Sequence, residues 1–172
     1  MDIMAAVYEP DKVTFYNLVL FVHIVAAIVA FGVVFAYPLF LRMAHHTDPR
    51  SLPYFHRTQG YVGSRLITGG ATMLLVTGIY MAAASDAYDF SDPFVSAGIL
   101  IVVVLLGLGG AAFAPMERRL ADLATRDVGA AASGPVRLSA EYHAALRRWH
   151  LVATAAATLV LAAVLLMVIK PL

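Results

Sequence analysis

The side chains of this sequence with the clearest potential for chemistry are its six histidines, and His23 lies inside a long apolar stretch. An ionisable group in such a stretch is costly to bury, so it is the first candidate for function. One face of the predicted helix carries four residues at intervals of seven: Tyr16, His23, Ala30 and Tyr37. The pattern fits a haem ligand or a proton- or quinone-binding group. It also fits a neutral histidine that hydrogen-bonds a neighbouring helix.

The other five histidines lie in or near two basic linkers: His45, His46, His56, His143 and His150. His143 and His150 are seven residues apart and share a helix face, and His56 begins another helix at a similar height. His56 could therefore meet His143 or His150 as a pair of metal or haem ligands. The alternative is that these histidines lie among lipid headgroups or pair with acids of the linkers.

The helix rise limits which histidines can share a haem. His23 and His150 are expected roughly 20–25 Å apart along the membrane normal, whereas the two axial ligands of one iron are only about 4 Å apart. A haem on His23 would need Met81, Met167 or a second copy of the chain as the opposite ligand.

Arg65 stands at the entrance of the second apolar segment, on the side of the basic linkers. A guanidinium at the end of a membrane span ordinarily reaches out to the interface. Arg65 could also bind the anionic headgroup of a lipid or a quinone, so it is included among the candidate cofactor-binding residues.

The elements that must position these groups follow from the composition, which is 61% hydrophobic and 13% charged, without cysteine. Soluble domains carry about twice that charged fraction. Charged residues are absent from four windows, each long enough to cross a bilayer core: 13–41, 66–85, 93–116 and 149–169. The sequence predicts an all-α, four-helix transmembrane bundle. Gly70 and Gly110 are expected to face other helices, as small residues do in such bundles.

We expect a single transmembrane domain over 1–172, with the second and fourth helices extended beyond the membrane. Ser51 and Ser139 are expected to cap these two helices. The spans are predicted at about 14–42, 62–85, 93–116 and 148–170.

Ten of the twelve lysines and arginines lie in the two linkers that follow the first and third spans. Short loops rich in lysine and arginine stay in the cytoplasm, so both termini are predicted to be extracytoplasmic. The expected location is a bacterial inner membrane, which the chain crosses several times.

The first span contains the run Leu18-Val19-Leu20-Phe21-Val22-His23-Ile24-Val25-Ala26-Ala27-Ile28, with Gly32 shortly after it. This run resembles that of uncharacterised bacterial four-helix integral membrane proteins assigned to a domain of unknown function. Those proteins are loosely similar to the membrane domains of CopD-type copper-resistance proteins and of HemJ-type protoporphyrinogen oxidases. The resemblance implies a candidate haem or copper contact at His23.

Sequence motifs of common catalytic sites, such as HExxH, the P-loop and GxSxG, do not occur, so the sequence favours a non-enzymatic role. The first hypothesis is an accessory, assembly or binding subunit that contacts the lipid bilayer, partner membrane proteins or further copies of itself. The second is a b-type haem electron-transfer or quinone-reactive protein. The third is a metal or small-solute permease, for which carboxylates within the membrane are lacking. No nucleic-acid partner is expected.

Overall fold

The computed structural model describes residues 14–170, which contain helices and no strand. Four long helices make up this part of the chain: α1 Phe15–Thr47, α2 Pro49–Ala83, α3 Pro93–Ala130 and α4 Ala140–Ile169. Each is long and apolar enough to span a membrane. The prediction of an all-α bundle with four spans is confirmed.

The helix ends follow local hydrogen bonding. The Thr14 hydroxyl accepts from the backbone N–H of Asn17 at the start of α1, and the Ser139 hydroxyl accepts from that of Tyr142 at the start of α4. Ser139 is therefore the predicted N-cap of α4. At the start of α2 the cap is Asp48, whose carboxylate accepts from the N–H of Arg50. Ser51 occupies the predicted N-cap position of the α-helix that begins at Leu52, but its hydroxyl donates back to the Asp48 carbonyl and caps no backbone N–H.

Two helices contain a widened π turn at the same height of the bundle. α2 consists of a 3₁₀ turn at Pro49–Ser51 and α-helix at Leu52–Val62, then a π turn at Gly63–Ile67 and α-helix at Thr68–Ala83. α3 runs as α-helix over Pro93–Leu108, π turn over Gly109–Phe113 and α-helix over Ala114–Ala130.

Local chemistry explains both π turns. The turn in α3 directly precedes Pro115, which has no N–H to donate and would crowd the preceding turn of a regular α-helix. In α2 the Thr68 hydroxyl donates to the Gly63 carbonyl, 3.0 Å away. Such π turns frequently mark functional sites, and these two contact each other.

Close packing between α1 and α2 depends on small residues. A methyl group added at Gly70 would lie 2.9 Å from Cβ of Ala30, so the two helices meet at the predicted glycine. The expectation for Gly110 was wrong, because a methyl group there would meet nothing within 4 Å. Gly110 instead lines the cavity described below.

At one end the four helices continue past their charge-free windows, and we call this the arginine-rich end because it carries the two basic linkers. Its buried core consists of Tyr37, Leu41, Leu52, Leu120, Ala124, Tyr142 and Trp149. Asp127 joins α3 to α4 by accepting from the backbone N–H of Ser139 at 2.8 Å and from Nε of Arg126 at 3.2 Å. Burial alone would raise the pKa of Asp127, but these bonds outweigh it and lower the pKa below its ordinary value.

Candidate functional site

A cavity of about 640 Å³ lies between the four helices, on the side of the arginine-rich end. Both π turns line it, and so do the aromatic rings of Phe31, Phe35, Tyr37, Phe113 and Trp149. Most of the wall is apolar, with threonines and alanines of α4 opposite the glycines of α2 and α3. The size and lining are those of a site for a small organic molecule.

Four polar side chains converge at one end of this cavity, and we call them the polar cluster: Tyr37, Gln59, Glu117 and Trp149. Each is buried in the bundle. The Tyr37 hydroxyl, both amide atoms of Gln59 and the indole Nε1 of Trp149 have no hydrogen-bond partner among the described residues. Buried polar atoms are nearly always paired, so this concentration at a cavity wall indicates a ligand or ordered water.

Glu117 is the carboxylate of the polar cluster, and its side chain is only 6% exposed. Methyl groups added at Gly60 and Gly63 of α2 would lie 3.4 and 3.7 Å from its Oε2, so the carboxylate packs close to the backbone of α2. The indole Nε1 of Trp149, which lines the same cavity, makes no hydrogen bond to the carboxylate. No arginine or lysine within residues 14–170 forms an ion pair with Glu117.

The cavity has its polar end at the arginine-rich end of the bundle and its apolar end toward the middle of the bundle, the orientation that a lipid of one leaflet would have. Glu117 and Trp149 border the charge-free windows 93–116 and 149–169, so the polar cluster lies at the edge of the membrane core. From Trp149 to Leu161 the lining continues for about 18 Å along α4, close to the thickness of one leaflet. Phe35 and Leu161 both line the cavity and are 48% and 58% exposed. The cavity is therefore continuous with the lipid-facing surface between α1 and α4.

His23, the first predicted candidate, lies away from this cavity and joins two helices. Its Nδ1 is 2.9 Å from the Thr77 hydroxyl of α2, and a methyl group at Gly78 would lie 3.2 Å from its Cε1. The Thr77 hydroxyl donates to the Met73 carbonyl of its own helix at 2.7 Å. Because that hydroxyl has one proton, it accepts from Nδ1–H of His23. This contact fits a histidine that holds a bundle together.

His56 was considered as a ligand partner of His143 or His150, and the structure brings together a different pair. The Nε2 of His56 is 2.9 Å from the Tyr142 hydroxyl, and both side chains are fully buried. Burial lowers the pKa of His56 to about 4, because it disfavours the charged imidazolium. His143 lies beside His45, with ring centroids 6.2 Å apart. The pKa of His45 is lowered by burial and by the neighbouring charges of His143 and His46.

His150 and Arg65 lie near the cavity in different ways. The Nδ1 of His150 is 3.1 Å from the Leu146 carbonyl, and the residue lines the cavity wall. Because a carbonyl only accepts, Nδ1 is the donor of this hydrogen bond. Arg65 is exposed, with its guanidinium carbon 6.0 Å from the Tyr61 ring centroid, and it does not line the cavity.

Comparison with known proteins identifies the family. The family model described as "Predicted integral membrane protein (DUF2269)" matches residues 17–171, which is almost the whole chain. The chain belongs to the DUF2269 family. This agrees with the resemblance to uncharacterised membrane proteins that the first span indicates. No curated protein and no solved structure matches the chain.

The cavity of this DUF2269 protein does not fit haem b, the cofactor considered from the histidines. Among the described residues, its lining contains one histidine, His150, and no lysine or arginine to neutralise the haem propionates. Glu117 would repel the propionates instead. No cluster of three or more histidine, cysteine, aspartate or glutamate side chains suited to a metal occurs within residues 14–170.

The polar cluster was missed by sequence reasoning, although the α3 pattern carries a signal for it. Glu117 was not among the candidate site residues. It nevertheless shares a helical stripe with Leu120, Ala121 and Ala124, all of which are buried. On α2, Gln59 follows the buried residues Leu52 and His56 at helical spacing. A polar residue on the apolar stripe of an amphipathic segment is the pattern that identifies both.

Proposed function

We propose that this DUF2269 protein is a membrane-embedded binding protein that holds one amphiphilic molecule taken from the bilayer. The proposal is carried by one observation, namely an apolar cavity with a cluster of buried, unsatisfied polar groups at one end. The proposal is a more specific form of the first hypothesis, in which the chain is a binding subunit that contacts the lipid bilayer. The setting we propose is a bacterial inner membrane with both termini extracytoplasmic.

The shape of the cavity supports an amphiphile rather than a uniformly polar or apolar ligand. A polar head at Gln59 and Glu117 would lie at the membrane surface, and an apolar chain would extend along α4 toward Val160. A lipid of the adjacent leaflet has this orientation already, so it could enter between α1 and α4 without turning over. Entry from the bilayer is consistent with the exposed cavity residues Phe35 and Leu161.

The energetics of the polar cluster favour an occupied cavity. An unsatisfied buried hydrogen-bonding group costs about 1–3 kcal/mol. Tyr37, Gln59 and Trp149 together contribute four such atoms. A ligand that pairs with even two of them recovers several kcal/mol, which favours retention of the ligand in the bundle.

Two glycine variants of α3 test the proposal. Gly110 lines the cavity and Gly107 does not, yet a methyl group at either would meet nothing within 4 Å. Gly110→Phe is therefore expected to fill the cavity, and Gly107→Phe is its matched control. The parent and both variants would be purified in dodecyl maltoside and extracted with organic solvent. Mass spectrometry would then measure the bound amphiphiles per mole of protein.

The expected result is an amphiphile that is enriched over its share of the membrane extract, with about one equivalent on the parent and on Gly107→Phe. Gly110→Phe should carry much less of it while eluting at the same volume in gel filtration. Equal amounts on Gly110→Phe and Gly107→Phe would place the bound lipid on the outer surface. An extract without any enriched amphiphile would also contradict the proposal.

A further inference from the structure

We propose that the head of the bound molecule is an organic cation, an amine or quaternary ammonium group held by Glu117 and the aromatic rings around it. This inference rests on the proposed binding function and names the chemical class of its ligand. It follows from the charge of the cavity lining, from the arrangement of its aromatic rings, and from the small number of its oxygen ligands.

The charge of the lining is the first argument. Glu117 contributes a carboxylate, and no lysine or arginine lines the cavity within the part of the chain that the structure describes. A buried carboxylate is stable only with a proton or a cation beside it. The indole Nε1 of Trp149 makes no hydrogen bond to the carboxylate, so the lone pairs of the carboxylate stay available for a ligand. A cationic head supplies the missing charge, and an anionic head would add a second negative charge.

The aromatic rings are the second argument. Trp149 packs edge-to-face against Phe113, with ring centroids 6.3 Å apart, and Tyr37 lies against Phe55 in the same manner at 6.5 Å. Tyr37, Phe113 and Trp149 also line the cavity. The faces of such rings attract cations, and tryptophan does so most strongly. The polar end of the cavity therefore combines one carboxylate with three aromatic side chains.

An inorganic cation is a poorer match to this lining. Calcium takes six to eight oxygen ligands, and magnesium requires a near-octahedral set. The polar cluster offers the carboxylate of Glu117, the amide oxygen of Gln59 and the hydroxyl of Tyr37, and the other polar side chains of the lining are one serine, three threonines and His150. A cation that carries its own apolar groups suits the wall as well as the carboxylate.

The arginines at the same end of the bundle do not reverse this preference. Arg65, Arg118 and Arg148 are exposed, and none of them lines the cavity. Exposed charges are screened by salt over roughly 10 Å, whereas a charge inside the cavity is screened much less. The arginines can attract anionic lipids to the surface, but Glu117 determines which charge is favoured inside.

Two ions of the same size and opposite charge provide the test. Tetraphenylphosphonium and tetraphenylborate would be titrated into the protein in dodecyl maltoside at 150 mM salt, with binding followed by calorimetry and by the fluorescence of Trp149. Trp149 is the single tryptophan of the chain and lines the cavity. Glu117→Gln removes the carboxylate. Asp122→Asn removes an exposed carboxylate of the same helix and is the matched control.

The parent and Asp122→Asn are expected to bind tetraphenylphosphonium at least about tenfold more tightly than tetraphenylborate, as close charge pairs of several kcal/mol imply. Glu117→Gln should lose about tenfold in affinity for the cation and gain none for neutral detergent. Gly110→Phe should lose the fluorescence response to both ions.

Three outcomes would overturn the inference. They are equal affinity of the parent for the two ions, tighter binding of the borate, and a Glu117→Gln variant that binds the cation as the parent does. The comparison of the two ions on the parent needs no variant, so it stands even where Glu117→Gln fails to fold. Suppose that Gly110→Phe loses an enriched lipid while the parent shows no preference for the cation. The proposed binding function would then stand, and only the cationic head would be refuted.

Discussion

Lowering the pH is expected to destabilise the arginine-rich end of the bundle through His56. Burial moves the pKa of this imidazole from 6.5 to about 4, so the folded state binds its proton less readily than the unfolded state. The contribution of the neutral imidazole to stability is complete above pH 6.5. It is lost as the pH falls toward 4, because the unfolded state takes up the proton first. Linkage over the interval from pH 7.5 to 5.0 gives a loss of about 2 kcal/mol from His56 alone.

The assay is equilibrium unfolding in mixed dodecyl maltoside and dodecyl sulfate micelles at the two pH values. The parent should lose free energy of unfolding on acidification, and His56→Gln should lose about 2 kcal/mol less. Glutamine can still hydrogen-bond the Tyr142 hydroxyl but does not titrate. The remaining pH dependence belongs in part to His45, whose pKa is lowered in the same direction by burial and by its histidine neighbours.

The matched control is His46→Gln, which changes an exposed histidine near the end of α1. It should lose nearly as much free energy of unfolding as the parent, because it removes only the charge that His46 places beside His45. Equal losses for the parent and His56→Gln between pH 7.5 and 5.0 would refute the argument, because they would show that His56 takes up its proton without leaving its site. A smaller loss in His46→Gln as well would assign the effect to histidines in general.

Three further predictions concern packing, the His23 contact and topology. Gly70→Leu should lower the free energy of unfolding by about 1–3 kcal/mol through overpacking against Ala30. Gly69→Leu should be tolerated, because a methyl group at this position meets nothing within 4 Å. Equal tolerance of the two variants would contradict the close packing of α1 on α2. His23→Gln should keep more thermal stability than His23→Leu, because glutamine retains a donor for the Thr77 hydroxyl, and the reverse order would exclude a hydrogen-bonding role. Alkaline phosphatase fused to either terminus should be active outside the cytoplasm, and activity of a cytoplasmic reporter at both termini would invert the topology.

The spans of this protein could be predicted because membrane insertion depends on local composition. Charge-free windows of 20 residues or more define the four helices, since each must satisfy its own backbone hydrogen bonds within the lipid. The Ser139 cap and the helical stripe of Tyr16, His23, Ala30 and Tyr37 were equally local. Ala30 and Tyr37 of that stripe are buried in the bundle. A histidine that hydrogen-bonds a neighbouring helix was one interpretation of His23, and its contact with Thr77 is of that kind.

The candidate site depends on contacts between helices that are far apart in the sequence. Tyr37, Gln59, Glu117 and Trp149 come from four helices and meet only after the bundle closes. In the sequence Glu117 is one acid beside two arginines of a basic linker. In the structure its carboxylate packs beside the glycines at positions 60 and 63 and lines the cavity together with both π turns.

Helix length and membrane spans therefore followed from the sequence, because lipid acts on every residue of a span through its local polarity. The cavity, its carboxylate and the pairing of His56 with Tyr142 were decided by tertiary structure. Each depends on which faces of two or more helices meet, and a shift of one residue in either helix would turn a side chain away by about 100°.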